Sequence, residues 1–323
     1  MPAQRSKNGH EVDVNAELSQ VANRFIEHAQ SANTVRGYTS DWKDFAEWCH
    51  HHAATPMPAT PACVANYLAD IASGDGAKKN TVSRRLAAIN KHHEQAGHAR
   101  PGVDPKVANV MRGIRRNLDG ALDQAAPLTR ELLHDAVSAL AGDEIQQARD
   151  RAVLCIGFAG ALRRSEIVAV TVSHVTRVPK AGLELFIPAS KTYQEGHGYK
   201  IGLSPTTDPV IDPVAAYEEW MSVSAIRNGH VFRGLTAKRA VRATGLSAGY
   251  VNTIVKTAVA RTGVDPGPYS GHSMRSGFVT SARADGVPDH LIMQVTRHRD
   301  ARTLGTYTRV EDVFANVAAW AKW

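Results

Sequence analysis

Cysteine is scarce: the 323 residues hold three, Cys49, Cys63 and Cys155. So few, so scattered, exclude a disulfide framework and a thiolate metal knuckle, and point to a reducing, intracellular setting. Long apolar runs are missing too. No stretch approaches the roughly 20 residues a membrane helix needs, and the opening "MPAQRSKNGHEVDVNAELSQ" lacks the apolar segment of a secretory signal. No internal repeat or low-complexity tract interrupts the chain. Negative charge is in deficit, with 31 Asp and Glu against 38 Lys and Arg, a formal charge of +7. That balance favours a polyanionic partner, nucleic acid first and an anionic membrane surface second.

What remains is ordinary globular composition, 43% hydrophobic and 21% charged, on a chain long enough for two cores. The expected organisation is a polar tail over residues 1–15, a helical domain over 16–118, a linker over 119–127 and a second domain over 128–323. In the first domain Val35, Tyr38, Trp42, Phe45, Trp48 and Cys49 recur at helical steps, behind Ser31 or Asn33 as N-cap. Further apolar stripes follow at Val64, Tyr67, Leu68 and Ile71, at Val82, Leu86 and Ile89, and at Val107, Val110, Met111 and Ile114. Gly120 and Pro127 punctuate the linker.

Thr129 reads as the N-cap of a helix burying Leu132, Leu133, Ala136, Val137 and Leu140. A buried helix, a glycine-containing break and a second helix start follow in "RDRAVLCIGFAGALRRSEIVAV". Three β-rich runs, "VTVSHVTRV", "GLELFIPAS" and "YKIGLS", predict a small antiparallel sheet. Helix then returns, with Val214, Tyr217 and Trp220, and later Tyr250, Ile254 and Val255, on apolar faces. The fold class expected is mainly α with a small antiparallel β-sheet.

Four segments of the second domain concentrate side chains that grip or protonate a phosphate: "GALRRSEI", "ASKTYQEGHG", "SGHSMRSG" and "TRHRDARTLGTY". Each alone has a bland explanation. Arg163 and Glu166 at i,i+3 are most often a helix salt link, His272 and Arg275 at the same spacing a structural pair, and Tyr307 a packed aromatic. Together they supply what metal-free phosphoryl transfer on DNA requires. Guanidiniums stay charged and bind non-bridging oxygens in pairs. A lysine or histidine can protonate a departing oxygen, and a phenol becomes a nucleophile once a base and cations help remove its proton.

The order Arg-x-x-Glu, hairpin lysine, His-x-x-Arg, then His with Tyr nine residues later resembles the tyrosine recombinase (phage integrase) family over almost the whole chain. "NTVRGYTSDWKDFAEWC" and "NTVSRRLAAINKHH" are similar to that family's helical core-binding domain. The resemblance implies a clamp of two domains around DNA, with Tyr307 as the nucleophile that forms a 3′-phosphotyrosyl link. It implies that Arg163 and Arg275 hold the scissile phosphate and that Lys191 protonates the 5′ oxygen, with Lys200 across the hairpin as the competing lysine. By the same carry-over His272 is general base, Glu166 supports the arginines and His298 donates a hydrogen bond to phosphate. No cofactor, metal or ATP is implied. Where many relatives place glycine before the final His, this chain has Arg297.

Beside such a domain, the basic start of the third helix, with Lys78, Lys79, Asn80, Thr81, Ser83, Arg84 and Arg85 in its first two turns, becomes a DNA contact: the lysines and arginines to phosphates, with Asn80, Thr81 or Arg84 reaching base edges. Thr34 and Arg36 in "TVRGY" and Arg115 in "MRGIRR" are weaker candidates. The tail after Tyr307, with Val313, Phe314 and Val317 at helical spacing, packs either on its own domain or on a neighbouring subunit of a tetramer. "CHHH" with His92, His93 and His98 matches no structural zinc pattern and reads as surface or helix-end histidine. The partners expected are double-stranded DNA with inverted-repeat sites and further copies of this chain, with no membrane, in a prokaryotic or viral setting in the cytoplasm at the nucleoid. Competing readings are a DNA-binding protein that keeps the fold without the chemistry, and a type IB topoisomerase-like enzyme.

Overall fold

The chain divides into two units, Met1–Asp123 and Gln124–Trp323; the computed structural model describes residues 32–118, 125–188 and 198–297. In the first unit α1 spans Ala32–His51, α2 Pro61–Ser73, α3 Lys79–Gln95 and α4 Pro105–Asn117. Local chemistry starts two of them. Thr60 Oγ1 accepts from the Cys63 amide and Asp104 accepts from the Lys106 amide, each followed by a proline at the first helical position, where a missing N–H costs nothing.

The apolar stripes meet in one cluster around Phe45, Cys49, Tyr67, Leu68, Ile89, Val107 and Met111. Two expectations need correction. Asn33 lies inside α1 rather than capping it, and Val35 is 44% exposed, because the buried stripe begins a turn later, where α3 crosses. Polar pins join α1 to α3: Arg84 to Asp41 at 2.7 Å and Arg85 to Asp44 at 2.6 Å, while the Tyr67 hydroxyl donates to Asp44 at 2.7 Å. His93 is at a helix end, in the last turn of α3, but it is 1% exposed. Its Nε2 accepts from the Ala59 amide at 2.9 Å and its Nδ1 donates to the Ile89 carbonyl at 2.8 Å, so it ties α3 to the loop before α2.

The second unit begins with α5 (Arg130–Ser138), capped by Thr129, and α6 (Glu144–Ala159), capped by Asp143. After the Gly160–Leu162 turn comes the short α7 (Arg164–Ala169). The strands β1 (Val175–Val178), β2 (Gly182–Ile187) and β3 (Tyr199–Leu203) form an antiparallel sheet in sequence order, with Leu185 opposite both Val175 and Ile201. "VTVSHVTRV" is strand only in its second half, since Val172–His174 turns as a 3₁₀ helix.

Next come α8 (Pro213–Ser224), with Trp220 fully buried, and α9 (Ala248–Arg261). Between them lies a hairpin the sequence pattern did not announce, β4 (Arg233–Leu235) paired with β5 (Val241–Gly245). On α9 the buried residues are Val251, Ile254, Val255, Ala258 and Val259, and Tyr250 is 40% exposed with the Arg149 guanidinium over its ring. The described unit closes with α10 (His272–Ala284) and α11 (Asp289–Thr296). Among the described residues no helix is long and apolar enough to cross a membrane.

Candidate active site

Three segments far apart in sequence converge at the N-terminus of α7: the turn 160–163, the start of α10 and the end of α11. The α10 segment is held most firmly. Leu128 N donates to Ser273 O at 2.9 Å, Arg130 N to Ser281 Oγ at 2.9 Å, and Gly271 N to Asn252 Oδ1 at 2.8 Å. Gly277 lets the segment 126–129 lie against the helix, because a Cβ there would stand 1.8 Å from the Leu128 carbonyl oxygen. A Cβ on Gly157 of α6 would meet Met274 Sδ at 2.7 Å, so α10 is set close from that side too.

Arg275 projects from α10 into this junction and is 1% exposed. Its Nη1 donates to the Ala161 carbonyl at 2.8 Å and its Nη2 to the Thr296 carbonyl, which links the α6–α7 turn to the end of α11. Arg163 precedes α7, and its amide and Nη1 both donate to the Glu166 carboxylate, at 2.8 and 2.7 Å. Glu166 is nearly closed to solvent, whereas the Arg163 side chain is 27% exposed, the more open of these two guanidiniums.

A further side chain enters that sequence reading noted only as a departure. Arg297 caps α11 in the left-handed region at φ 59° and ψ 38°, and its guanidinium turns inward. Its Nη2 meets Glu166 Oε2 at 2.6 Å, and its Nη1 donates to Val295 O at 3.0 Å and Gly160 O at 3.4 Å. Burial pulls this guanidinium down from the ordinary arginine value, with Glu166 opposing the shift.

His272 opens α10 and is exposed as a residue. The surrounding protein, then the cations Arg275 and Arg163, push its pKa below 6.5, the ordinary histidine value. The structure thus brings together Arg163, Glu166, His272 and Arg275. Lys191, His298 and Tyr307 lie outside the described residues. Lys200 stands on the solvent side of β3 with its Nζ 2.8 Å from Glu184, and the Tyr199 hydroxyl donates to Gln294 O, joining β3 to α11.

The sequence-selected basic residues are placed in the first unit. Lys78, Lys79 and Asn80 are exposed at the start of α3, Arg36 on α1 and Arg115 on α4 are exposed, and Thr34, Thr81 and Ser83 are half-buried. Arg84 and Arg85 are engaged by Asp41 and Asp44 inside the unit.

Residues 128–313 match the phage integrase family and residues 23–99 the phage integrase N-terminal SAM-like domain. The chain is similar to an integrase/recombinase xerD homolog of Selenomonas ruminantium, 35% identical over 95% of this chain and 90% of the relative. It also resembles recombinase cre of Escherichia phage P1, 26% identical over 87% and 85%. In fold it is similar to a lambda integrase dimer bound to a COC′ core site, with TM-score 0.58 and 15% identity over 88% of this chain and 91% of that one. With the motif order, the two matched domains and the xerD homolog in agreement, the chain belongs to the phage integrase family, the tyrosine recombinases.

Proposed function

We propose that this protein is a site-specific DNA recombinase that cuts and rejoins duplex DNA through a 3′-phosphotyrosyl intermediate on Tyr307. The observation that carries the reading is the convergence of Arg163, Glu166, His272 and Arg275 from separate segments onto one junction. Two guanidiniums, and a histidine whose pKa burial and those cations lower, suit a phosphodiester that must gain charge in its transition state.

In the first step the Tyr307 oxygen attacks phosphorus and the bond from phosphorus to the 5′ oxygen breaks. His272 accepts the phenol proton, Lys191 delivers a proton to the leaving 5′ oxygen, and His298 donates to a phosphate oxygen. A 5′ hydroxyl from the partner strand then attacks the phosphotyrosine, giving its proton back to Lys191, and Tyr307 leaves with a proton returned by His272. The energy of the cut bond is kept in the phosphotyrosine, so rejoining needs no ATP, and the side chains alone supply the acid, base and cations.

The Lys200–Glu184 ion pair favours Lys191 as the acid, since a lysine engaged on the outer face of the sheet is poorly disposed to protonate a leaving group. Arg163 is the guanidinium open to an arriving phosphate; Arg275 would meet it by exchanging a carbonyl partner for a phosphate oxygen.

Residues 16–118 are assigned to duplex binding, 119–127 to a linker and 128–323 to catalysis. Lys78, Lys79, Arg36 and Arg115 are the exposed cations best suited to phosphates, so binding should weaken steeply with salt. The relatives are named as recombinases, and the lambda integrase structure holds a core site; inverted-repeat duplex targets, a tetramer joined through the C-terminal helix, exchange through a Holliday junction and a cytoplasmic, nucleoid-associated setting are the extension of that likeness to this chain.

Covalent capture tests the proposal. Wild-type protein and Tyr307→Phe are incubated with fragmented genomic DNA, washed in denaturant, and the retained DNA is sequenced. Retention by the wild type alone, enriched in inverted repeats, is expected. If both proteins bind DNA natively and neither keeps it through denaturant, the chain binds DNA without the chemistry.

A further inference from the structure

A residue that ends a helix in the left-handed region is usually glycine, because a Cβ there crowds the following carbonyl oxygen. Arg297 sits in that conformation, and its amide donates to Met293 O at 2.7 Å, the hydrogen bond such a cap makes. What accompanies the strain is an inward guanidinium, 1% exposed, on the same carboxylate that holds Arg163. Glu166 Oε1 receives Arg163 Nη1, and Oε2 receives both the Arg163 amide and Arg297 Nη2. The Arg297 Nη1 contacts to Val295 and Gly160 close the remaining side, while its buried Nε has no hydrogen-bond partner among the described residues.

We propose that Arg297 is a positioning residue for strand cleavage: through Glu166 it fixes the Arg163 guanidinium, and through its own backbone it anchors the end of α11, from which His298 follows directly. The inference rests on the recombinase reading above. Without Arg297, Glu166 keeps Arg163 as its one charged partner among the described residues, and rotation of that carboxylate carries the guanidinium with it. The end of α11 also loses its tie to the 160–163 turn. Both changes act on the orientation of the phosphate-binding group rather than on the cations of the first unit proposed above to grip the duplex.

Single-turnover formation of the covalent protein–DNA adduct tests this, using a random-sequence duplex library as probe and the full chain as wild type, Arg297→Gly, Arg297→Lys, Glu166→Gln, Arg297→Gly/Glu166→Gln and Tyr307→Phe. Arg297→Gly removes the side chain while relieving the backbone, so it is the variant best placed to fold. A displaced reacting group costs on the order of 10- to 100-fold in rate, and Arg297→Gly should slow adduct formation by that much at unchanged duplex affinity. Arg297→Lys should recover part of the loss, because it restores a cation to Glu166. The double variant should be no slower than the slower single variant. Arg297→Gly within about 2-fold of wild type, no recovery by lysine, or multiplying effects in the double variant would each overturn the positioning role. No adduct from the wild type, or equal adduct from Tyr307→Phe, would overturn the recombinase reading itself.

Discussion

Replacing Glu166 with glutamine should destabilise the second unit more than replacing its buried partner does. The carboxylate is 5% exposed and Arg297 1% exposed, so the amide leaves a guanidinium charge with almost no access to water. Breaking a buried pair in this way costs about 3–5 kcal/mol. The Arg163 side of the arrangement adds little, since that side chain is 27% exposed and water can replace the lost partner. For a unit of roughly 200 residues, about 3 kcal/mol corresponds to a drop in Tm of about 6–12 °C. Arg297→Gly removes the buried charge and about 1 kcal/mol of left-handed strain together, so its own penalty is smaller. Added to Glu166→Gln, it should raise the Tm by eliminating the unpaired cation. Differential scanning calorimetry of the full chain, following the transition of the second unit, measures all three variants. A double variant melting below Glu166→Gln alone would refute the charge-pairing argument.

Glycine positions offer a test of opposite signs. On helix propensity alone, Gly→Ala gains about 1 kcal/mol; Gly113 of α4, exposed and with nothing within 4 Å of an added Cβ, should show that gain. Gly277→Ala should instead destabilise by about 2 kcal/mol or more, because the methyl group would lie 1.8 Å from a backbone oxygen; denaturant melts of each unit report both signs. His272, with its pKa pushed below 6.5 by burial and by Arg275 and Arg163, should show an NMR titration midpoint under that value. Folding favours its neutral form, so the contribution to stability is full above pH 6.5 and declines as pH falls through the folded-state value. A midpoint at or above 6.5 would refute the assigned environment.

The apolar stripes at three- and four-residue spacing placed α2, α3 and α4 because each buries one face against its neighbours, and Thr60 and Asp104 act within their own turns. The hairpin of β4 and β5 escaped because its strands expose charged residues and are only partly buried, so they carry no alternation. Arg84 and Arg85 looked like a basic surface, since their acidic partners stand more than 40 residues away on α1. The helix-end place of His93 was legible, but its burial escaped for the same reason, its key partner being the backbone amide of Ala59. At the site, Arg163, Glu166, His272 and Arg275 were legible as a chemical set. The part taken by Arg297 was not, because sequence gives neither the left-handed cap that turns it nor the carboxylate it meets.

The most direct test of the account is the identity of the atom joined to DNA. Wild-type protein trapped on fragmented genomic DNA would be digested with nuclease and trypsin, and the peptide "TLGTYTR", residues 303–309, examined by mass spectrometry. The account predicts a nucleotide attached through its 3′ phosphate to the Tyr307 oxygen. Attachment at another residue, attachment through a 5′ phosphate, or no attached nucleotide would contradict it.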